Sequence, residues 1–166
     1  MSKPNVDPFE KLLITYQKLA MSLCYPALVG AFSIFVDVFS NRDSSYFAMA
    51  GERTLYLYLS QNPLGGNGGL SSAITCLVSL ALAGLFIMLA LWAAKGKWWP
   101  ILVGSLLYLA DAVYLFCLLN SSLYGAMELT AWIIQLLTHL LFLALFVASA
   151  CIYAKLVRLQ RKHPRN

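Results

Sequence analysis

Asp111 and His139 are the residues of this chain best placed for chemistry, because each lies deep inside an apolar run, at 98–120 and 129–153 respectively. An aspartate at the centre of a membrane span costs about 2.5 to 3.5 kcal/mol even on a lenient insertion scale, so it needs a partner there. The connection between the two runs is centred near Leu123 and Tyr124. Counting back from it along both arms, at about 1.5 Å per residue, puts Asp111 level with Thr138 and His139, roughly 13 to 17 Å inside the boundary. The same count sets Tyr114 level with Gln135, and Tyr108 can complete the network. An Asp–His pair in a low dielectric couples the charge of each partner to the protonation of the other, which suits a proton relay or an acid/base couple. The same contact can also act as a latch that fixes the rotation of two helices.

Asp37, Arg53 and Glu128 are secondary candidates. Ser22, Pro26, Gly30, Ser33, Asp37 and Ser40 recur at steps of three and four, so they share one small, polar helical face. Lipid gives no hydrophobic drive between helices, and such a face packs against neighbours by close approach and hydrogen bonding. Ser72, Thr75, Ser79 and Ala83 make a similar stripe. Asp37 falls near the end of its run, where the interface, Arg42 or Arg53 can satisfy it, and Glu128 opens the last run together with Trp132. Cys24, Cys76, Cys117 and Cys151 all fall inside apolar runs without CxxC spacing or a neighbouring His pair, so they spell neither a zinc site nor a disulfide framework. The GGNGG stretch at 65–69 lacks the lysine and preceding strand of a phosphate-binding loop and reads as a turn. No cofactor or metal is implied.

The elements that must position these residues are helices in lipid. The chain is 60% hydrophobic and only 11% charged, with a mean hydropathy of +0.72, outside the range of ordinary soluble domains. Spans are predicted at about 19–40, 71–94, 98–120 and 129–153, forming an all-α, antiparallel four-helix transmembrane bundle over 19–155. Residues 1–18 lack the layout of a cleaved signal peptide. Within them Asp7, Pro8 and Glu10 open a helix whose stripe of Phe9, Leu12, Leu13 and Tyr16 lies on the membrane surface or leads into the first span, where Pro26 introduces a kink. The long connection 41–69 is rich in Tyr and Leu, which predicts a short interfacial or re-entrant helix. Lys95–Gly96–Lys97 is a tight turn, Trp98 and Trp99 mark an interface, and 156–166 is a basic tail.

Lys3, Lys11, Lys18, Lys95, Lys97, Lys155, Arg158, Arg161, Lys162 and Arg165 flank the spans on one side, against Arg42 and Arg53 on the other. The positive-inside rule then places both termini in the cytoplasm and the long connection outside, in a cell membrane of bacterial inner-membrane type. Basic residues clustered at span ends point to anionic headgroups rather than nucleic acid. Three function classes follow. The first is a non-catalytic subunit or accessory component that binds lipids and other membrane helices or a second copy of itself. The second is a small oligomeric transporter using Asp111 and His139 for proton or ion handling. The third is an intramembrane, lipid-facing enzyme with the same pair as acid and base, for which the sequence offers no nucleophile.

Overall fold

The computed structural model describes residues 8–40, 47–66, 68–118 and 129–162. The first helix, α1 (Pro8–Met21), begins on a proline whose missing N–H is no loss at that position, and it carries Glu10 in its first turn and Lys18 in its last, both matched to the helix dipole. It does not lie apart as a surface segment. Tyr16 is in the core and Phe9, Leu12 and Leu13 pack against that core, α1 as a whole resting on the helices α4 (Gly69–Ala94) and α6 (Leu129–Lys162). A 3₁₀ turn at Ser22–Cys24 leads into α2 (Tyr25–Ser40). That interruption is the turn before Pro26, whose ring cannot donate to, and clashes with, the carbonyl four residues back.

Three more long helices follow: α4 (Gly69–Ala94), α5 (Trp99–Cys117) and α6 (Leu129–Lys162), with the shorter α3 (Ala50–Gln61) ahead of them. Four segments are long and apolar enough to cross a bilayer, namely Phe9–Ser40, Gly69–Ala94, Trp99–Cys117 and Trp132–Arg161. The chain is therefore an all-α, polytopic membrane bundle. Helix α6 runs past Tyr153 to Lys162, so Lys155, Arg158 and Arg161 extend the last helix instead of following it as a separate tail. At about 1.5 Å per residue its 34 residues exceed the roughly 30 Å of hydrocarbon, which leaves the basic turns beyond it.

Helix α4 lies at the centre, touching α1, α2, α3 and α5, while α6 closes against α1 and α5. The termini end of the bundle also holds the α4–α5 turn, where Gly96 takes a left-handed φ of 84° and Trp92 meets Trp99 at 5.2 Å. The opposite, loop end holds Ser40, Gly69 and Cys117. Its turn uses Gly65, Gly66 and Gly68, all at positive φ, and Leu64 N–H donates to the Ser71 hydroxyl at 2.8 Å.

Helix α3 does not lie across the loop end as an interfacial helix. Its first residues reach Asp111 on α5, and Met49 and Glu52 abut Gly30 on α2. Gly30 is ten residues from Ser40, about 15 Å into the bundle, and Asp111 is six residues from Cys117, about 9 Å in. Tyr56, Leu57, Leu115, Leu118 and Trp132 cluster further out. Helix α3 is thus a half-helix that starts inside the bundle and runs out to the loop end, which is the re-entrant form of the helix expected in this connection.

Candidate buried polar site

A helix that begins inside a membrane bundle exposes N–H groups that no water can satisfy, and each one left bare costs several kcal/mol. Asp111 supplies the acceptors. Its Oδ2 accepts from Ala50 N–H at 2.8 Å and its Oδ1 from Gly51 N–H at 2.9 Å. The third contact is His139 Nε2 to Asp111 Oδ2 at 3.1 Å, the pair that the depth count brought together. The cost of the carboxylate and the cost of the open helix end therefore offset each other, since hydrogen bonds to a charged group contribute about 1.5 to 3 kcal/mol each.

The imidazole is held on three sides. Nδ1 lies 2.8 Å from the Gln135 carbonyl, and because a carbonyl only accepts, Nδ1 carries a proton. Nε2, on the other side of the ring, is the atom that faces Asp111 Oδ2. Tyr108, buried, stacks on the ring with centroids 5.0 Å apart and planes 17° from parallel. Gln135, also buried, turns its amide to the Ala48 carbonyl at 3.3 Å and so steadies the chain just before α3.

Several candidates sit elsewhere. Thr138 donates to Ile134 on its own helix at 2.8 Å and does not serve Asp111, because a threonine inside a helix reaches the carbonyl four residues back more readily than a neighbouring helix. Tyr114 is exposed on the flank of the bundle and lines a cavity between α4 and α5 instead of meeting Gln135. Asp37 is fully buried on α2. Arg53 is 2% exposed, inside the bundle on the first turn of α3 and not among loop charges. Glu128 and Arg42 lie outside the described residues. Of the small-residue faces, Ser22, Pro26, Gly30 and Asp37 on the first segment and Thr75, Ser79 and Ala83 on α4 are buried, with Ser33 and Ser72 only partly so and Ser40 exposed. The four cysteines are free, Cys117 and Cys151 facing outwards.

Glu52 was not among the residues the sequence singled out. It is 1% exposed, its Oε2 accepts from Met49 N–H at 3.1 Å, and Oε1 is buried without a hydrogen bond. Ser79 stands near enough to favour the ionised form without completing a bond of its own. Burial pushes this carboxyl from its ordinary 4.5 up to about 7, and the Asp111 charge adds to the rise. A Cβ on Gly30 would fall on Glu52 Oε2, so the glycine makes the room this carboxyl occupies. The signal was present in the sequence: a glutamate three residues after Met49 reaches back to its N–H as in a capping box, once a helix is known to start there.

Among the described residues no group of three His, Cys, Asp or Glu side chains is arranged to hold a metal ion. The fold and the site together define a four-span membrane protein whose polar centre anchors a re-entrant half-helix. No family model, no curated protein and no solved structure matches the chain.

Proposed function

We propose that this chain is a small non-catalytic membrane protein, a subunit or accessory component of a membrane assembly. The observation that carries this reading is the commitment of Asp111: both its oxygens are bonded, to the first N–H groups of α3 and to His139, which positions a helix and not a reacting group. Large apolar side chains exposed along α5 and α6, such as Leu106, Leu137, Leu141 and Val147, suit lipid and the helices of a partner or a second copy. The charge distribution supports cytoplasmic termini in a plasma or bacterial inner membrane. By sequence, ten basic residues flank the spans on the side of the termini, and Arg53, one of the two assigned to the other side, is buried.

Native mass spectrometry of the protein extracted gently from its own membrane tests the reading. Stoichiometric partner subunits are expected, and a chain that flies without them overturns it. Proton or ion handling is the second reading, favoured by the 3.1 Å contact between His139 Nε2 and Asp111 Oδ2. It requires Asp111→Asn to abolish coupled flux while the fold survives, whereas loss of thermal stability alone leaves the latch.

A further inference from the structure

At the termini end of the bundle, the outer surface of α5 and α6 carries a trough between the two helices. Its floor is Ile101 and Phe146, both buried, and its walls are Leu102 and Val147, both exposed. Ser105 on α5 and Ala150 on α6 carry the small side chains that leave a space of about 340 Å³ there. The helices are antiparallel, so Trp98 and Tyr153 mark the end nearest the termini, and Ser105 and Phe146 lie seven residues deeper. Seven residues rise about 10 Å, against the roughly 15 Å that one leaflet contributes to the hydrocarbon core.

No charged residue lines the trough, but its line leads to charges. Arg158 and Arg161, both exposed, follow the lining residues Val147 and Ala150 by eleven positions each. Eleven residues make three helical turns to within about 20°, so the two arginines continue the same faces past Tyr153. Side chains lean towards the N-terminus of their own helix, which on α6 tilts both arginines back towards the trough. Residues 95–105 and 129–166 include no acidic side chain to compete for them. A second apolar helix would fill the trough and leave these charges unmatched. A molecule with both a hydrocarbon chain and an anionic head matches both.

The geometry points to a site for one anionic phospholipid of the leaflet at the termini end, with an acyl chain in the trough and the phosphate on Arg158 and Arg161. Guanidinium groups bind phosphate oxygens through paired N–H donors. A headgroup with net negative charge is favoured over a zwitterionic one, whose own ammonium is repelled by the same arginines. Trp98 and Tyr153 each bring an apolar ring and one hydrogen-bond donor to the boundary between chain and head. This site goes beyond the assembly reading and does not depend on it.

The test is native mass spectrometry of the full chain in detergent micelles, titrated with dioleoylphosphatidylglycerol and, separately, with dioleoylphosphatidylcholine, which has the same chains. The first phosphatidylglycerol is expected to bind at least fivefold tighter than the first phosphatidylcholine. Ala150→Phe fills the trough and leaves every charge in place, and is expected to weaken that phosphatidylglycerol at least fivefold. Arg158→Gln together with Arg161→Gln is expected to bring phosphatidylglycerol down to the phosphatidylcholine level. Lys155→Gln removes an exposed charge from another face of α6 and is expected to change binding less than twofold. All four positions are exposed, so helicity by circular dichroism should stay at the wild-type level. Equal binding of the two lipids, unchanged phosphatidylglycerol binding in Ala150→Phe, or an equal loss in Lys155→Gln overturns the assignment. A dimer that Ala150→Phe splits while lipid binding persists gives the trough to a second copy and overturns it too.

Discussion

The termini half of the bundle and the loop half are built on different physics. In the termini half, Leu23, Ala27, Phe86, Ala90, Ala93, Ile101 and Phe146 are buried against one another. Its few buried polar groups are met locally: Ser22 and Ser149 by carbonyls of the preceding turn, and Tyr16 by the Ala93 carbonyl at 2.8 Å, which also accepts from Gly96 N–H. In the loop half, Asp37, Glu52, Arg53, Thr75, Ser79, Gln135 and His139 are all buried. Packing holds the first region and tolerates changes that conserve volume. Directional hydrogen bonds hold the second, and they fix where an inserted half-helix begins.

The largest test of that contrast is Asp111→Ala. It strands Ala50 and Gly51 N–H and leaves His139 without its partner, which is expected to cost about 3 to 5 kcal/mol. Hydrogen exchange should show amides 50–55 opening while amides 86–93 stay protected, and uniform opening of both would erase the distinction between the halves. Next comes pH. A buried carboxyl raised from 4.5 to about 7 contributes stability that is full below about pH 4.5 and lost as pH rises through 7. The loss amounts to up to about 3 kcal/mol. Thermal unfolding of the wild type should therefore fall between pH 5 and 8 relative to Glu52→Gln, and parallel curves would remove Glu52 from the account.

Gly30→Ala drives a methyl onto the Glu52 carboxyl and the Met49 backbone, so a loss of about 1 to 3 kcal/mol is expected. Combining it with Glu52→Ala should recover part of that loss if the clash is its cause. The smallest effect belongs to the apolar half. Tyr16→Phe removes one interhelical hydrogen bond, worth about 0.6 kcal/mol in membrane bundles, and should leave exchange in α3 unchanged.

Much of this was legible beforehand. Four long apolar runs in an 11% charged chain allow little but a helical membrane bundle, because lipid cannot satisfy an open backbone. That Asp111 and His139 lie level with each other followed from counting along a hairpin, since helical rise is constant, although Asp111 sits nearer the loop end than the count placed it. The inward faces of α2 and α4 followed from small residues at helical spacing. Arg53 and Glu52 were not legible in the same way. They lie in a polar-looking connection, where a charged residue reads as solvated, and only its insertion between α2, α4 and α5 makes them buried.

Composition and periodicity, then, determined that this chain spans a bilayer four times and that an aspartate and a histidine sit at one depth, because those properties depend on neighbours along the chain. Tertiary structure alone decided that α3 turns inwards, that Asp111 meets its first N–H groups, and that Glu52 borders a cavity between α4 and α5. Those outcomes depend on residues such as Gly30, Ala50, Ser79 and Asp111, far apart in sequence, arriving at one place. Helix rotation and insertion depth bring them together, and neither is encoded in a local pattern.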